Sequence, residues 1–206
     1  MAASRGARKA RTPSALIERE LLSAAEAILT RKGPGGLTVR AVAVEAGIAP
    51  MGVYSRLGGK NGLVDALLMR GFDRLRLTVE AGDEPDELDR LRACGLRYRE
   101  FALANSHFYA IMFEGAIARE RDPDGVGEHA AGAFGVLVRR VELAAAAGRI
   151  AAPDAVGVAQ QVWGALHGAV VLELKGLVQT PDPLATYAAL IETLLRGLAP
   201  PGAQGS

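Results

Sequence analysis

The stretch from Thr38 to Lys60, TVRAVAVEAGIAPMGVYSRLGGK, constrains this chain more than any other. Val39, Val42, Ala43 and Ala46 recur at i, i+3, i+4 and i+7, the spacing of one apolar helix face. Thr38 precedes them, where a side-chain oxygen can cap the first unpaired amides. Gly47 supplies the backbone freedom that a sharp helix stop needs. Pro50 suits the first turn of a second helix, because its missing N–H would have had no partner there. Val53 and Leu57 face back onto the first helix, and Ala43 is small where the two must cross. This spacing satisfies a helix-turn-helix, whose second helix enters a DNA major groove. An ordinary αα-hairpin satisfies it nearly as well, so the flanks have to decide.

The flanks favour DNA. Residues 1–76 hold thirteen Lys and Arg against six Asp and Glu, a net of +7. Residues 77–206 hold eleven against seventeen, a net of −6, so the overall charge of +1 conceals a split. A basic third on an acidic body is the footprint of a phosphate-binding module carried by something else. Arg5, Arg8, Lys9 and Arg11 lie in a segment of Ala, Gly, Ser and Pro that has nothing to bury. Residues 1–13 are therefore expected to be a disordered basic arm, able to add phosphate or minor-groove contacts.

Ser14 to Leu75 resembles the N-terminal domain of the TetR family of transcriptional regulators. The resemblance rests on Ala24, Ala25, Ile28 and Leu29 with Gly33, then Leu37-Thr38-Val39, Ala46-Gly47-Ile48, Tyr54, Leu57, Lys60 and Leu63. There are departures. Ala49 stands where Ser or Thr usually caps the recognition helix, Leu57 replaces a usual Phe, and Gly58-Gly59 and Gly62 flank the Lys. A lost cap and an added Gly each weaken a helix locally by about 1 kcal/mol, which predicts a less rigid reading head on the same fold.

A chain of 206 residues, half of them hydrophobic, supports a small head and one larger core. Strand-like alternation is absent, so the expected class is all-α. Breakers and periodicity place helices at about 14–31, 39–46, 50–57, 61–81, 86–105, 107–115, 126–148, 153–178 and 182–198, with Asp122-Pro123-Asp124-Gly125 as the clearest loop. The expected organisation is a helix-turn-helix domain at 14–60, a helical ligand-binding and dimerisation domain at 61–198, and a Pro/Gly tail at 199–206. No charged-then-apolar leader and no unbroken apolar run of membrane-spanning length is present, so no membrane partner is expected. Cys94 is the single cysteine, which suits a reducing cytoplasm and predicts a buried, inert thiol.

Two long seams follow near the C-terminus. Val156, Ala159, Trp163, Leu166 and Val170 step by three and four, and so do Leu184, Tyr187, Ile191, Leu194 and Leu198. Either both are spent in the core of one chain, or the pair packs on a second copy. Gly157, Gly164 and Gly168 favour the homodimer, because each costs helix stability and permits close approach. The expected interface is therefore Gly157, Gly164, Gly168, Tyr187, Ile191, Leu194 and Leu198. Trp163, His167 and Gly168 form W-x-x-x-H-G. With Tyr98 to Phe113, YREFALANSHFYAIMF, this resembles the WHG-type C-terminal domain of one TetR branch.

The resemblance implies a small-molecule effector in the body. A mostly apolar pocket is expected among Tyr98, Phe101, Tyr109, Phe113, Trp163 and His167, although ordinary core packing accounts for the same aromatics. In the head, Thr38, Arg40, Tyr54 and Lys60 suit phosphate oxygens. Met51, Gly52, Ser55 and Arg56 are expected on the side of α3 that faces bases. Arg56 alone has bidentate geometry for guanine, but the family pattern directs it to the backbone. Apolar contact from Met51 and DNA shape then carry much of the specificity. An enzyme is disfavoured. His107, His129 and His167 lie on different segments, no metal-ligand spacing or nucleophile signature appears, and neither metal nor cofactor is expected. The expectation is a homodimeric regulator, a repressor released from a palindromic double-stranded operator by a small, largely apolar ligand. The rival is a helical ligand-binding protein with weak or lost DNA binding.

Overall fold

The computed structural model describes residues 14–115 and 125–200. The basic arm, the loop residues 122–124 and the last part of the tail lie outside the described residues. The described residues hold nine α-helices and no strand: α1 Ser14–Lys32, α2 Val39–Glu45, α3 Pro50–Leu57, α4 Lys60–Glu80, α5 Glu87–Ala104, α6 Ser106–Phe113, α7 Val126–Ala146, α8 Ala155–Leu174 and α9 Pro183–Gly197. The chain divides into two compact units between Leu67 and Leu68, within α4.

In the N-terminal unit, α1 packs against α2 and α3. Leu21, Ala25, Ile28 and Leu29 of α1 are buried together with Val42, Ala43 and Val53, as the apolar spacing requires. Thr38 caps α2 by accepting from the Ala41 amide at 3.1 Å. At the other end of α2, Gly47 adopts φ +65°. The Gly47 amide donates to the Val44 carbonyl at 3.1 Å and the Ile48 amide to the Ala43 carbonyl at 2.9 Å. Those two bonds satisfy the last carbonyls in a Schellman arrangement that a β-carbon would strain. Pro50 opens α3, and Ala49 before it gives no side-chain cap, so the departure from the family pattern is real. Leu63, Val64 and Leu67 at the start of α4 are buried, which places the beginning of that helix with the head.

In the C-terminal unit, α5 packs on α6, α7, α8 and α9, while α8 also contacts α7 and α9. Asp86, Asp154 and Asp182 cap α5, α8 and α9 through their carboxylates. Arg99 and Glu173 form a two-pronged ion pair, at 2.7 and 2.5 Å, that joins α5 to α8. Helix α8 ends earlier than the periodicity suggests. Gly176 turns to φ +67° and Leu177 donates back to the Leu172 carbonyl at 2.9 Å, so residues up to 178 are not helical. By mean hydropathy, 1.3, α8 is long and apolar enough to cross a membrane, although Gln160, Gln161 and His167 interrupt its apolar run.

Two expected interface residues turn inward. Tyr187 is buried and its hydroxyl donates to the Gly95 carbonyl at 3.1 Å. Ile191 is buried against α5, where a β-carbon on Gly95 would lie 3.0 Å from its Cδ1. Both belong to the core of the chain. Leu194 and Leu198 are half-buried, Gly157 is half-buried, and Gly164 and Gly168 are exposed.

Candidate nucleic-acid interface and effector cavity

In the head, Thr38, Arg40, Met51, Tyr54, Ser55, Arg56 and Lys60 are all exposed. For an apolar residue, Met51 is unusually open, at 72% exposure. Val44 on α2 is equally open at 75%, and sequence reasoning passed over it. The signal was present, because Val44 falls off the 39/42/43/46 stripe. Thr38 spends its oxygen on the cap, which leaves its hydroxyl hydrogen for an outside acceptor. Ser55 donates to the Gly52 carbonyl at 3.2 Å and keeps lone pairs to accept with. The Tyr54 ring lies close to Gly59, where a β-carbon would stand 3.0 Å from it. Gly52 has an internal reason to be glycine: a β-carbon would meet Ile48 Cγ2 at 2.6 Å. Its lack of a side chain therefore serves packing within the turn, whatever it offers DNA. Arg31 and Glu45 pair at 2.7 Å and tie α1 to α2, and that hydrogen bond holds the Glu45 carboxyl below its usual range.

The body contains an apolar cavity of about 130 Å³. Tyr98, Phe113 and Trp163 line it. Phe101 does not: it is buried in the core away from the cavity wall. Tyr109 and His167 do not line it either. They bond to the hydroxyl of Tyr98, which does. Tyr109 Oη lies 2.6 Å from His167 Nδ1 and 2.8 Å from Tyr98 Oη. Tyr98 Oη also lies 3.0 Å from His167 Nδ1 and accepts from Trp163 Nε1 at 3.2 Å. The donors and acceptors match if Tyr98 donates to Tyr109, Tyr109 donates to Nδ1, and the imidazole carries its proton on Nε2. Burial raises the pKa of both tyrosines, so they stay protonated. The walls that sequence reasoning missed come from α4 (Phe72, Leu75, Val79), α5 (Cys94, Gly95) and α7 (Ala130, Ala133, Phe134, Leu137), with Leu166 from α8. Phe134, the one aromatic on α7, was the available signal. Cys94 is buried and its thiol is pushed up to about 11 by desolvation, so it is inert as expected. Among the described residues, no three His, Cys, Asp or Glu side chains are grouped to hold a metal.

Burial holds His167 below its ordinary pKa, with Glu114 pulling weakly the other way. In the unfolded chain the imidazole protonates near pH 6.5, while in the folded chain it resists to lower pH. The unfolded state then binds more protons in that window, so stability falls as pH drops below about 6.5. The thermal midpoint should decline as pH falls below about 6.5, and His167→Gln should flatten the decline. An undiminished decline in the variant would assign it to other groups.

Residues 21–67 match the family described as bacterial regulatory proteins, tetR family. Residues 91–196, half of the chain and the span that holds Tyr98, Trp163, His167 and Gly168, match the tetracyclin repressor-like C-terminal domain. No match was found among curated proteins. Among solved structures, a Rhodococcus sp. RHA1 protein of unknown function is 29% identical, with a TM-score of 0.82 over 94% of this chain and 100% of that one. A tetR-family regulatory protein from Rhodococcus RHA1 is 20% identical, with a TM-score of 0.66 over 89% and 97%. A TetR transcriptional regulator from Streptomyces coelicolor is 24% identical, with a TM-score of 0.57 over 89% and 99%. The last two likenesses are of fold. With both halves matched, an N-terminal helix-turn-helix and a C-terminal helical domain, the chain belongs to the TetR family of transcriptional regulators, non-enzymatic proteins that act by binding DNA.

Proposed function

We propose that this regulator is a cytoplasmic homodimeric repressor, released from a palindromic operator by a small, largely apolar ligand bound in the body cavity. The observation that carries this reading is the course of α4. Lys60, at its start, is a proposed phosphate contact, and Phe72, Leu75 and Val79 farther along the same helix line the cavity. A ligand that presses on those three side chains acts on the helix that leads to the reading head. It shifts the equilibrium only by binding the released and DNA-bound arrangements with different affinity. The proposed division of labour gives Thr38, Arg40, Tyr54, Arg56 and Lys60 to phosphates, and Met51, Ser55 and Val44 to base edges and thymine methyls. Gly52 lets the backbone of α3 come near the groove. The proposed domain limits are 14–60 for the head and 61–198 for the body. The proposed seat of the second copy is the outer face of α8 and the neighbouring part of α9, where Gly164 and Gly168 lie exposed.

Selection of random duplexes by the full-length chain tests the reading. The enriched sequence should be a near-palindrome with half-sites about one helical turn apart or slightly more. Log affinity should fall with log salt by roughly 0.9 per neutralised phosphate, so Lys60→Ala should remove about one such increment per head. Deleting residues 1–11 should lower the slope further. No enrichment even at low salt would favour a ligand-binding protein that has lost its operator, a reading the uncapped start of α3 supports.

A further inference from the structure

We propose that the body cavity takes a neutral monocyclic aromatic hydrocarbon, of benzene or toluene size, and rejects ligands that carry a charge or a hydrogen-bonding group into it. This rests on the reading that the cavity is the effector site and narrows the chemistry of what enters it.

Size is the first argument. The cavity measures about 130 Å³. Dry apolar cavities of about 150 Å³ take up benzene or xenon. A single ring fills such a space, and a long acyl chain exceeds it.

The wall is the second argument. Among the described residues, none of the side chains that line it carries a charge, and Phe72, Phe113, Phe134 and Trp163 are aromatic. Phe113 stands 6.1 Å and Phe134 5.9 Å from Trp163, both tilted, while Phe72 meets Phe113 edge-on at 5.7 Å. Rings set at such angles offer edges and faces to a further ring in the tilted and T-shaped arrangements that aromatic quadrupoles prefer.

The third argument is that the polar atoms at the wall are already engaged. A phenolic hydroxyl has one hydrogen and two lone pairs. Tyr98 Oη accepts from Trp163 Nε1 and donates to Tyr109 Oη, and His167 Nδ1 stands 3.0 Å away against its remaining lone pair. The Gly95 carbonyl accepts from Tyr187. Cys94 offers only a protonated thiol, a weak partner. A ligand hydroxyl placed here gives up water and gains nothing in return. It should bind about tenfold or more weakly than the same ring without it, and a carboxylate far more weakly still.

Titration of the full chain with toluene, phenol, benzoate and decanoate tests this. Calorimetry gives the affinity, and the fluorescence of Trp163, the single tryptophan, reports the site. Toluene should bind saturably and perturb Trp163, phenol should bind about tenfold or more weakly, and benzoate and decanoate should not bind in the same range. Ala133→Leu should fill the space and abolish toluene binding without lowering the thermal midpoint of the unliganded protein. Ala130→Leu carries the same test should that variant fail to fold. Phenol, benzoate or decanoate binding more tightly than toluene, or toluene binding unchanged in the filled variants, would overturn the proposal. Release of selected operator DNA is scored separately. Toluene bound without DNA release supports the ligand class and sinks the effector reading. DNA release by benzoate or decanoate through a site that Ala133→Leu blocks does the reverse.

Discussion

Gly62→Ala should abolish operator binding while leaving the cavity of the body able to fold and to bind. Gly62 lies in the first turn of α4, two residues after Lys60. A β-carbon at this position would sit 1.7 Å from the Leu57 carbonyl oxygen and 2.8 Å from its carbon. Those are backbone atoms and have no rotamer by which to move aside. The overlap is relieved only by parting α3 from α4, and Leu57 is the buried last residue of α3. The same short helix presents Met51, Tyr54, Ser55 and Arg56. Overpacking against backbone should cost about 3 kcal/mol or more, a large share of what a small helical head can lose and still fold. Gly62→Val should do no better, because the clash begins at the β-carbon. The measurement pairs operator affinity with two unfolding probes, far-UV ellipticity for the whole chain and Trp163 fluorescence for the body. Ellipticity should show an early loss, and the Trp163 transition should stay where it is. Operator binding at the wild-type level in Gly62→Ala would show that α3 and α4 have slack at their junction.

That residue also marks where the sequence stopped being readable. As a string, Gly62 is only a departure that weakens a helix. Its necessity is a contact with the carbonyl of Leu57, which no propensity scale contains. The helix-turn-helix itself was legible because its determinants are local. The Thr38 cap, the Gly47 turn and Pro50 each act on the backbone within a few residues, and each stands where its chemistry requires. The aromatic pair Tyr98 and Trp163 was legible for another reason: large rings with polar tips are found where an apolar space meets a hydrogen-bonded edge. The remaining walls were not. Leu75, Val79, Ala133 and Leu137 are the residue types of any core, and whether such residues enclose filled or empty space depends on five helices at once. Nor could periodicity decide which side of α9 faces inward. Leu184, Tyr187, Ile191 and Leu194 form a seam whatever covers it. What decides is Gly95, whose bare backbone accepts the Tyr187 hydroxyl across 92 residues of chain. His167 stood out by its motif, but a histidine that lines a cavity and one that holds a tyrosine look alike in a string.

Gly168→Glu should yield monomers that fold normally and bind operator poorly. Helix α8 is mostly apolar, with Gln160, Gln161 and His167 as interruptions, yet only 28% of its most apolar 18-residue stretch is buried within the chain. Val156, Gly164, Gly168 and Leu172 lie at four- and eight-residue steps along its exposed side. Among the described residues, no atom beyond the neighbouring backbone of α8 itself approaches within 4 Å of where a β-carbon on Gly164 or Gly168 would stand, so none of them requires glycine there. Leu172, Leu177 and Leu184 add leucines that are 50%, 56% and 52% exposed. Apolar surface of this kind, with residues small enough for close helix approach, is what the proposed second copy would cover. A glutamate at 168 enters that crossing twice by symmetry, and an unpaired buried carboxylate costs several kcal/mol. Loss of the second head removes the bivalent advantage, on the order of 10²–10⁴ in operator affinity. Because the site is open within the chain, helicity, thermal midpoint and Trp163 fluorescence should be close to wild type. Ile191→Glu supplies the contrast. That side chain is 4% exposed against Gly95, so its replacement should unfold the body and not merely separate two copies. Sedimentation decides between the faces: a Gly168→Glu protein that remains dimeric and grips the operator would place the second copy elsewhere on the body.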